Sequence, residues 1–301
     1  DMGDQGRNFD DLIKYRNSFN PSATINQYLE DFAPLNTERL RAANKFLFLS
    51  ENDNSKTHYT YYGRTKLRVL LHELSMNFKK RSRHSFINKN FISKLPPNEK
   101  FIYFALSVDE ERNLLLSAPL FTNQLEMIRN IAKSMPIDFK LFVKEAPAQS
   151  TRNWRDISVY EEMMKIPNVV LVHPSVSPTE LYKNCSLVMT ISGSSGFEAA
   201  FYQKPSIVFT DLSYTILPSV TKITSIHDLS NAIVESLKKE VLASDLDKYI
   251  ILLEKNTFSF DSYDLETKQH NEFFYGGNLI DVEISDSKML SFLEKNKSQF
   301  E

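Results

Sequence analysis

Cysteine is almost absent: Cys185 is the only one among 301 residues. An intrachain disulfide is therefore excluded, and a reducing compartment is expected. Cys185 stands at a helix-to-strand junction, where it reads as a buried inert thiol rather than a nucleophile. Long apolar runs are missing too. None approaches the roughly 20 residues of a membrane-spanning helix, and no secretory signal pattern is visible, so the expected location is the cytoplasm. An excess of one charge is lacking. The formal net charge of -2 gives no drive toward nucleic acid, and a nucleic-acid partner is not expected. No His/Cys/Asp spacing resembles a zinc site. No Gly-x-Ser-x-Gly elbow or lysine-bearing P-loop occurs, which argues against a serine hydrolase and a P-loop NTPase. What is present is ordinary for a soluble globular chain, at 42% apolar and 25% charged residues, with length for one large domain or two smaller ones.

Glycine is also scarce, at seven residues, yet two of them share one short stretch, Thr190-Ile191-Ser192-Gly193-Ser194-Ser195-Gly196-Phe197-Glu198. An apolar run, Leu187-Val188-Met189, precedes the stretch, and a helix-like run, Phe197 to Tyr202, follows it. A strand that ends in small hydroxyl residues and glycines before a helix is suited to hold a phosphate. The first backbone N–H groups of the helix are unpaired, and small side chains let an anion approach. Glycines that merely make a tight turn are the competing reading, and the turn alone does not separate the two.

Between about 100 and 240, apolar runs alternate with amphipathic ones. Strands are expected at 101–106, 139–143, 168–172, 187–191 and 205–209. Helices are expected at 123–134, 157–166, from Ser177 (a capping box with Glu180), after the glycine turn, and from Ser225 to Lys239. Such alternation implies right-handed βαβ units: an α/β fold with a Rossmann-like parallel sheet that binds ligands at the carboxyl ends of its strands. The first hundred residues are polar, with helices expected near 23–32, 37–46 and 65–79, and Lys45–Leu49 either closing a helix or forming a strand. Leu95-Pro96-Pro97-Asn98 marks a boundary. The expected organisation is a mainly helical N-terminal region (1–97), a Rossmann-like nucleotide-sugar domain (98–260) and a tail (261–301) folding back on it. The basic run Lys79-Lys80-Arg81-Ser82-Arg83-His84 reads first as a solvated helix end and second as a contact for an anionic membrane or polymer.

Three ordered blocks resemble the capsule polysaccharide biosynthesis family of bacterial surface-sugar enzymes, which includes Kdo transferases. The first is Leu106-Ser107-Val108-Asp109-Glu110-Glu111-Arg112 with Asn123-Gln124-Leu125. The second is Leu141-Phe142-Val143-Lys144-Glu145-Ala146-Pro147. The third runs from the glycine turn through Glu198-Ala199-Ala200 to Lys204-Pro205-Ser206-Ile207-Val208-Phe209. The resemblance implies the C-terminal domain of a GT-B-type glycosyltransferase. It would use a nucleotide-activated sugar, a CMP-linked acid such as CMP-Kdo being favoured, and a glycan or lipid-linked saccharide acceptor. No cofactor and no metal are implied. The chain would work in the cytoplasm, with a peripheral place at the inner membrane or in a capsule-assembly complex. Ser192, Gly193, Ser194, Ser195 and Gly196 would hold the donor phosphate. Glu198 would accept hydrogen bonds from a ribose or base, and Glu111, Lys144 and Glu145 would be catalytic. For Glu198 the competing reading is a helix-start acid favoured by the dipole, and for Lys144–Glu145 a surface ion pair of little value.

Two positions depart from the family pattern. Ser107 and Ala146 stand where relatives carry histidine. A histidine beside a nucleotide phosphate can donate a hydrogen bond to the leaving group, so these replacements open alternatives: a divergent enzyme, a catalytically degenerate binder or scaffold, or an engineered chain. An epimerase or hydrolase of GT-B-like shape is a further alternative. His173-Pro174 looks like the missing pair but follows the next strand. Asp109-Glu110-Glu111 is read as a loop coat rather than a metal site. Residues 1–100 are short for an acceptor domain, which is expected to be abbreviated or outside this chain.

Overall fold

The computed structural model describes residues 6–18, 37–48, 63–109, 112–146, 149, 155–257, 290, 291, 293 and 294. The chain forms two compact units, one of 1–33 with 83–251 and the other of 34–82 with 252–301. The helix expected at 23–32 and almost all of the expected tail lie outside the described residues, as do Glu110 and Glu111.

The first unit is built on six parallel strands: β1 (Phe101–Ala105), β2 (Lys140–Lys144), β3 (Val169–Val172), β4 (Leu187–Thr190), β5 (Ser206–Val208) and β6 (Val220–Lys222). Their order is β3-β2-β1-β4-β5-β6, the doubly wound Rossmann order. The five expected strands are all present, displaced by a residue or so at their ends. Both faces of such a sheet are covered, which is why its strands read as unbroken apolar runs. Every residue of β1, β4 and β5 is buried. In register, Phe104 lies between Val143 of β2 and Met189 of β4. Burying each such side chain contributes roughly 1.5–3 kcal/mol. β6 escaped the sequence reading because Val220-Thr221-Lys222 is short and turns polar at its end.

The helices, in chain order, include α1 (Phe9–Ser18), α2 (Thr37–Phe48), α3 (Lys66–Asn90), α4 (Arg112–Ser117), α5 (Gln124–Ser134), α6 (Ile157–Met164), α7 (Pro178–Asn184), α8 (Ser195–Phe201), α9 (Leu229–Ser236) and α10 (Ala243–Asn256). The apolar face of α5, with Met127, Ile128 and Ile131, is buried in the main core. At α7, Pro178 takes the first turn and Ser177 Oγ accepts from the Thr179 N–H at 3.2 Å. The cap thus uses the second helical residue rather than the third that a capping box requires. α3 continues eleven residues past its expected end at 79. Phe86 and Ile87 return to the apolar core after the basic run, and Arg83 within that run is itself buried. Asn98, in the expected boundary segment, adopts a left-handed conformation (φ 60). Lys45-Phe46-Leu47-Phe48 closes α2 rather than forming a strand.

In the second unit, Ala43 and Phe46 of α2 pack against Val69 of α3, with Leu70 alongside.

Candidate functional site

β1 and β4 are neighbours, yet the chain leaves them for opposite ends of the sheet. A crevice opens at such a switch point, beyond the carboxyl ends of the strands. Here it is a cleft of about 350 Å³. Its walls bring together Ser107 and Asn113 after β1, Lys144, Glu145 and Ala146 at the end of β2, and Ser192 to Ser195 after β4, with Tyr182 of α7 beside them. Three stretches far apart in sequence thus meet at one place because each follows a central strand.

The turn after β4 is held from within. Thr190 Oγ1 donates to the Ala105 carbonyl and accepts from the Gly193 N–H, both at 3.3 Å. A Cβ on Gly193 would lie 2.8 Å from that same oxygen, so any larger residue would have to displace the Thr190 hydroxyl from its two hydrogen bonds. Gly196 answers a different need: its Cβ would meet the Tyr214 hydroxyl at 2.8 Å and Ser206 Oγ at 3.2 Å. Tyr214 in turn donates from its hydroxyl to the Gly193 carbonyl. Both glycines therefore allow close packing within the turn. Ser194 is different. It is the exposed N-cap of α8, makes no side-chain cap bond and lines the cleft. Since α8 has only seven residues, its dipole adds little, and the polar groups around the cleft carry most of its chemistry.

Ser107 and Lys144 are those groups. Ser107 is fixed by its backbone: its N–H donates to Gln124 Oε1 at 2.8 Å, and its carbonyl accepts from Gln124 Nε2 at 2.8 Å and from Arg155 at 2.9 Å. Its Oγ, by contrast, is buried without a hydrogen-bond partner. Leaving a hydroxyl so costs about 1–3 kcal/mol. Lys144 is 3% exposed, and no ion pair holds its ammonium among the described residues. Burial pulls its pKa down to about 8, although the neighbouring Glu145 works the other way.

Glu145 is engaged elsewhere. Its carboxylate accepts from Arg155 at 2.6 Å and from the Tyr160 hydroxyl at 2.7 Å and 2.8 Å. Arg155 also reaches Asp109 at 2.9 Å. Burial opposes the Arg155 charge, but Glu145 and Asp109 outweigh it and hold the pKa above its usual value. Burial, then Glu145, pushes the Tyr160 hydroxyl far up, so it stays protonated and donates. The competing reading of Lys144–Glu145 as a surface ion pair fails: Glu145 is a buried acid tied to Arg155, and Lys144 a separate buried cation lining the cleft. Glu198 does not line the cleft; it pairs with Arg16 of α1, whose guanidinium also lies over the Tyr202 ring. His173 accepts the Ser175 N–H at Nδ1 and meets Asn88 at Nε2. Burial, then His84 and Lys144, lowers its pKa, and it does not line the cleft. Among the described residues no three His, Cys, Asp or Glu side chains gather as a metal site.

Sequence reading missed Arg155, Tyr160, Asn113 and Tyr182. Gln124 stood in a quoted block with no role given. Arg155 sits in a stretch without periodicity, so nothing local announces that it bridges two strand ends.

The family model described as "Capsule polysaccharide biosynthesis protein" matches residues 5–252. The chain belongs to this family. No curated protein matches it. Matching solved structures include the UDP-GlcNAc 2-epimerase of Methanocaldococcus jannaschii, at 18% identity and a TM-score of 0.39, covering 65% of this chain and 55% of that one. They also include the Thermosulfurimonas dismutans KpsC beta Kdo 2,4 transferase, at 13% identity and a TM-score of 0.35, covering 71% and 56%. Anabaena HepE in complex with UDP-glucose matches at 12% identity and a TM-score of 0.36, covering 73% and 70%. This capsule-family chain spans about half the length of the epimerase it matches. No helix among its described residues is long and apolar enough to cross a membrane.

Proposed function

We propose that the cleft between β1 and β4 binds a nucleotide-activated sugar, and that the chain is the donor-binding part of a glycosyltransferase of surface-polysaccharide assembly. One observation carries this reading: Lys144, a buried ammonium in no ion pair among the described residues, and Ser107, whose buried hydroxyl has no hydrogen-bond partner, line the same cleft as the Ser192–Ser195 turn. A phosphate entering there satisfies all three at once. The protein supplies a positive charge and hydroxyl donors that need no reorganisation as negative charge grows on the departing nucleotide. In a site shielded from water each is worth more than it would be at a surface. A CMP-linked acidic sugar is the favoured donor, on family grounds, and a glycan or lipid-linked saccharide the acceptor.

A second reading draws on a specific observation. Among the described residues no imidazole lines the cleft, since Ser107 and Ala146 occupy the two family histidine positions and His173 is bonded elsewhere. Each lost donor to a leaving group typically costs about 2.7–4 kcal/mol of transition-state stabilisation. Binding with little turnover is the consequence, in a scaffolding homologue.

Product analysis separates the readings. The chain is incubated with CMP-, UDP- and GDP-sugars, with and without a saccharide acceptor, and products are weighed by mass spectrometry. Transfer that requires acceptor supports the first reading. Release or isomerisation of the sugar without acceptor indicates the epimerase or hydrolase alternative. Binding without any product, converted to turnover by Ser107→His with Ala146→His, supports the second.

A further inference from the structure

α3 carries two apolar faces. One, with Val69, packs against Ala43 and Phe46 of α2. On the other side stand Leu67, Leu71, Leu74 and Phe78, exposed to 63%, 57%, 49% and 75%. Their spacing of four, three and four residues places them within an arc of about 60° over roughly 16 Å of helix. All four belong to the part of α3 in the second compact unit, and none of them lines the cleft. A helix satisfied by one apolar face has no folding reason for a second, and a continuous exposed stripe marks an interaction surface.

Charge indicates what the stripe meets. Residues 66–82 hold five basic side chains, Lys66, Arg68, Lys79, Lys80 and Arg81, against one acid, Glu73. Arg68, Lys79 and Arg81 are exposed, whereas Glu73 lies roughly 130° around the helix from the stripe. A second copy of this chain would bring the same three cations against themselves, with Glu73 the one acid that residues 66–82 could offer them. An anionic bilayer surface offers both an apolar layer for Leu and Phe and negative headgroups for the flanking cations. We propose that the Leu67–Phe78 stripe of α3 docks the chain on an anionic membrane surface, with Arg68, Lys79 and Arg81 at headgroup level. This goes beyond the donor-site reading and does not depend on it. The basic run at 79–84 thereby divides in two: Lys79 and Arg81 face outward, while Arg83 is buried.

Flotation of the full chain with phosphatidylcholine vesicles, with and without a quarter of phosphatidylglycerol, tests this. The expected result is binding to the anionic vesicles alone, weakened by raised salt. Leu71→Glu with Phe78→Glu, or Arg68→Gln with Lys79→Gln and Arg81→Gln, should each lower binding roughly tenfold or more. A second readout does not rely on those variants folding. Leu74→Cys is labelled with an environment-sensitive dye, Cys185 being buried with its thiol pushed up to about 12. A blue shift on anionic vesicles is expected. No vesicle binding by the wild type, binding unchanged by the substitutions, or a dye that stays water-exposed would each overturn the proposal. So would a wild-type dimer that Leu71→Glu converts to monomer without any lipid binding.

Discussion

At the residue scale, Lys144 is the position where stability and function pull apart. Its side chain is buried and its pKa stands at about 8, against 10.5 for a free lysine. Below about pH 8 both folded and unfolded chains hold the proton, and the fold carries the full cost of a buried charge. Between about 8 and 10.5 the folded protein has released a proton that the unfolded chain keeps, so stability rises with pH across that window. The cost amounts to something on the order of 3 kcal/mol at pH 7. Lys144→Met should therefore raise the stability of the unliganded protein at pH 7 by about 1–3 kcal/mol in chemical denaturation, and the gain should fade toward pH 10. A bound phosphate reverses the balance by pairing with the ammonium. Nucleotide affinity should fall as pH rises above about 8 in the wild type, and Lys144→Met should abolish that dependence while weakening binding. Ser107→Ala should leave stability unchanged or raised, since the Oγ has no partner to lose, and should weaken nucleotide binding, as a titration would read.

At the element scale, Glu145, Arg155 and Tyr160 tie the end of β2 to α6 and to the Ser107 backbone. Removing one member of a buried ion pair leaves its partner charged and unpaired, which typically costs 3–5 kcal/mol. Arg155→Met is expected to lower stability by about that much, whereas Tyr160→Phe, which deletes one donor to a still-paired carboxylate, should cost about 1–3 kcal/mol. Both are measured by denaturant unfolding, and a negligible effect of Arg155→Met would contradict the network. The central strands were legible because burial on two faces writes itself as a continuous apolar run, as in Phe101–Ala105. The β6 strand and the far end of α3 were not. Val220-Thr221-Lys222 has no such run, and Arg83 is buried by tertiary neighbours that no local window contains. The same limit hid the partner of Glu198, Arg16, which is 182 positions away, whereas the Arg155–Glu145 pair, ten positions apart, escaped because Arg155 lies in a stretch without periodicity.

For the whole molecule, strand order decides where ligand chemistry can gather. The alternation of strands and helices implied a doubly wound sheet, and such a sheet has its crevice at the switch point, here between β1 and β4. The 192–195 turn could be named in advance because it follows an apolar strand run, whereas Ser107 and Lys144 entered through the family resemblance. Which of them turn inward could not, since side-chain direction depends on packing across the sheet. The central claim is that this cleft takes a nucleotide phosphate, and calorimetric titration of CMP, UDP, GDP and ADP into the wild type and into Ser194→Trp tests it most directly. Ser194 is exposed, makes no cap bond and lines the cleft, so the tryptophan should fill the cleft while stability stays within about 0.5 kcal/mol. Saturable binding of a nucleotide, CMP foremost, that is lost in Ser194→Trp is the predicted result. Binding of no nucleotide, or binding that Ser194→Trp leaves untouched, would contradict it.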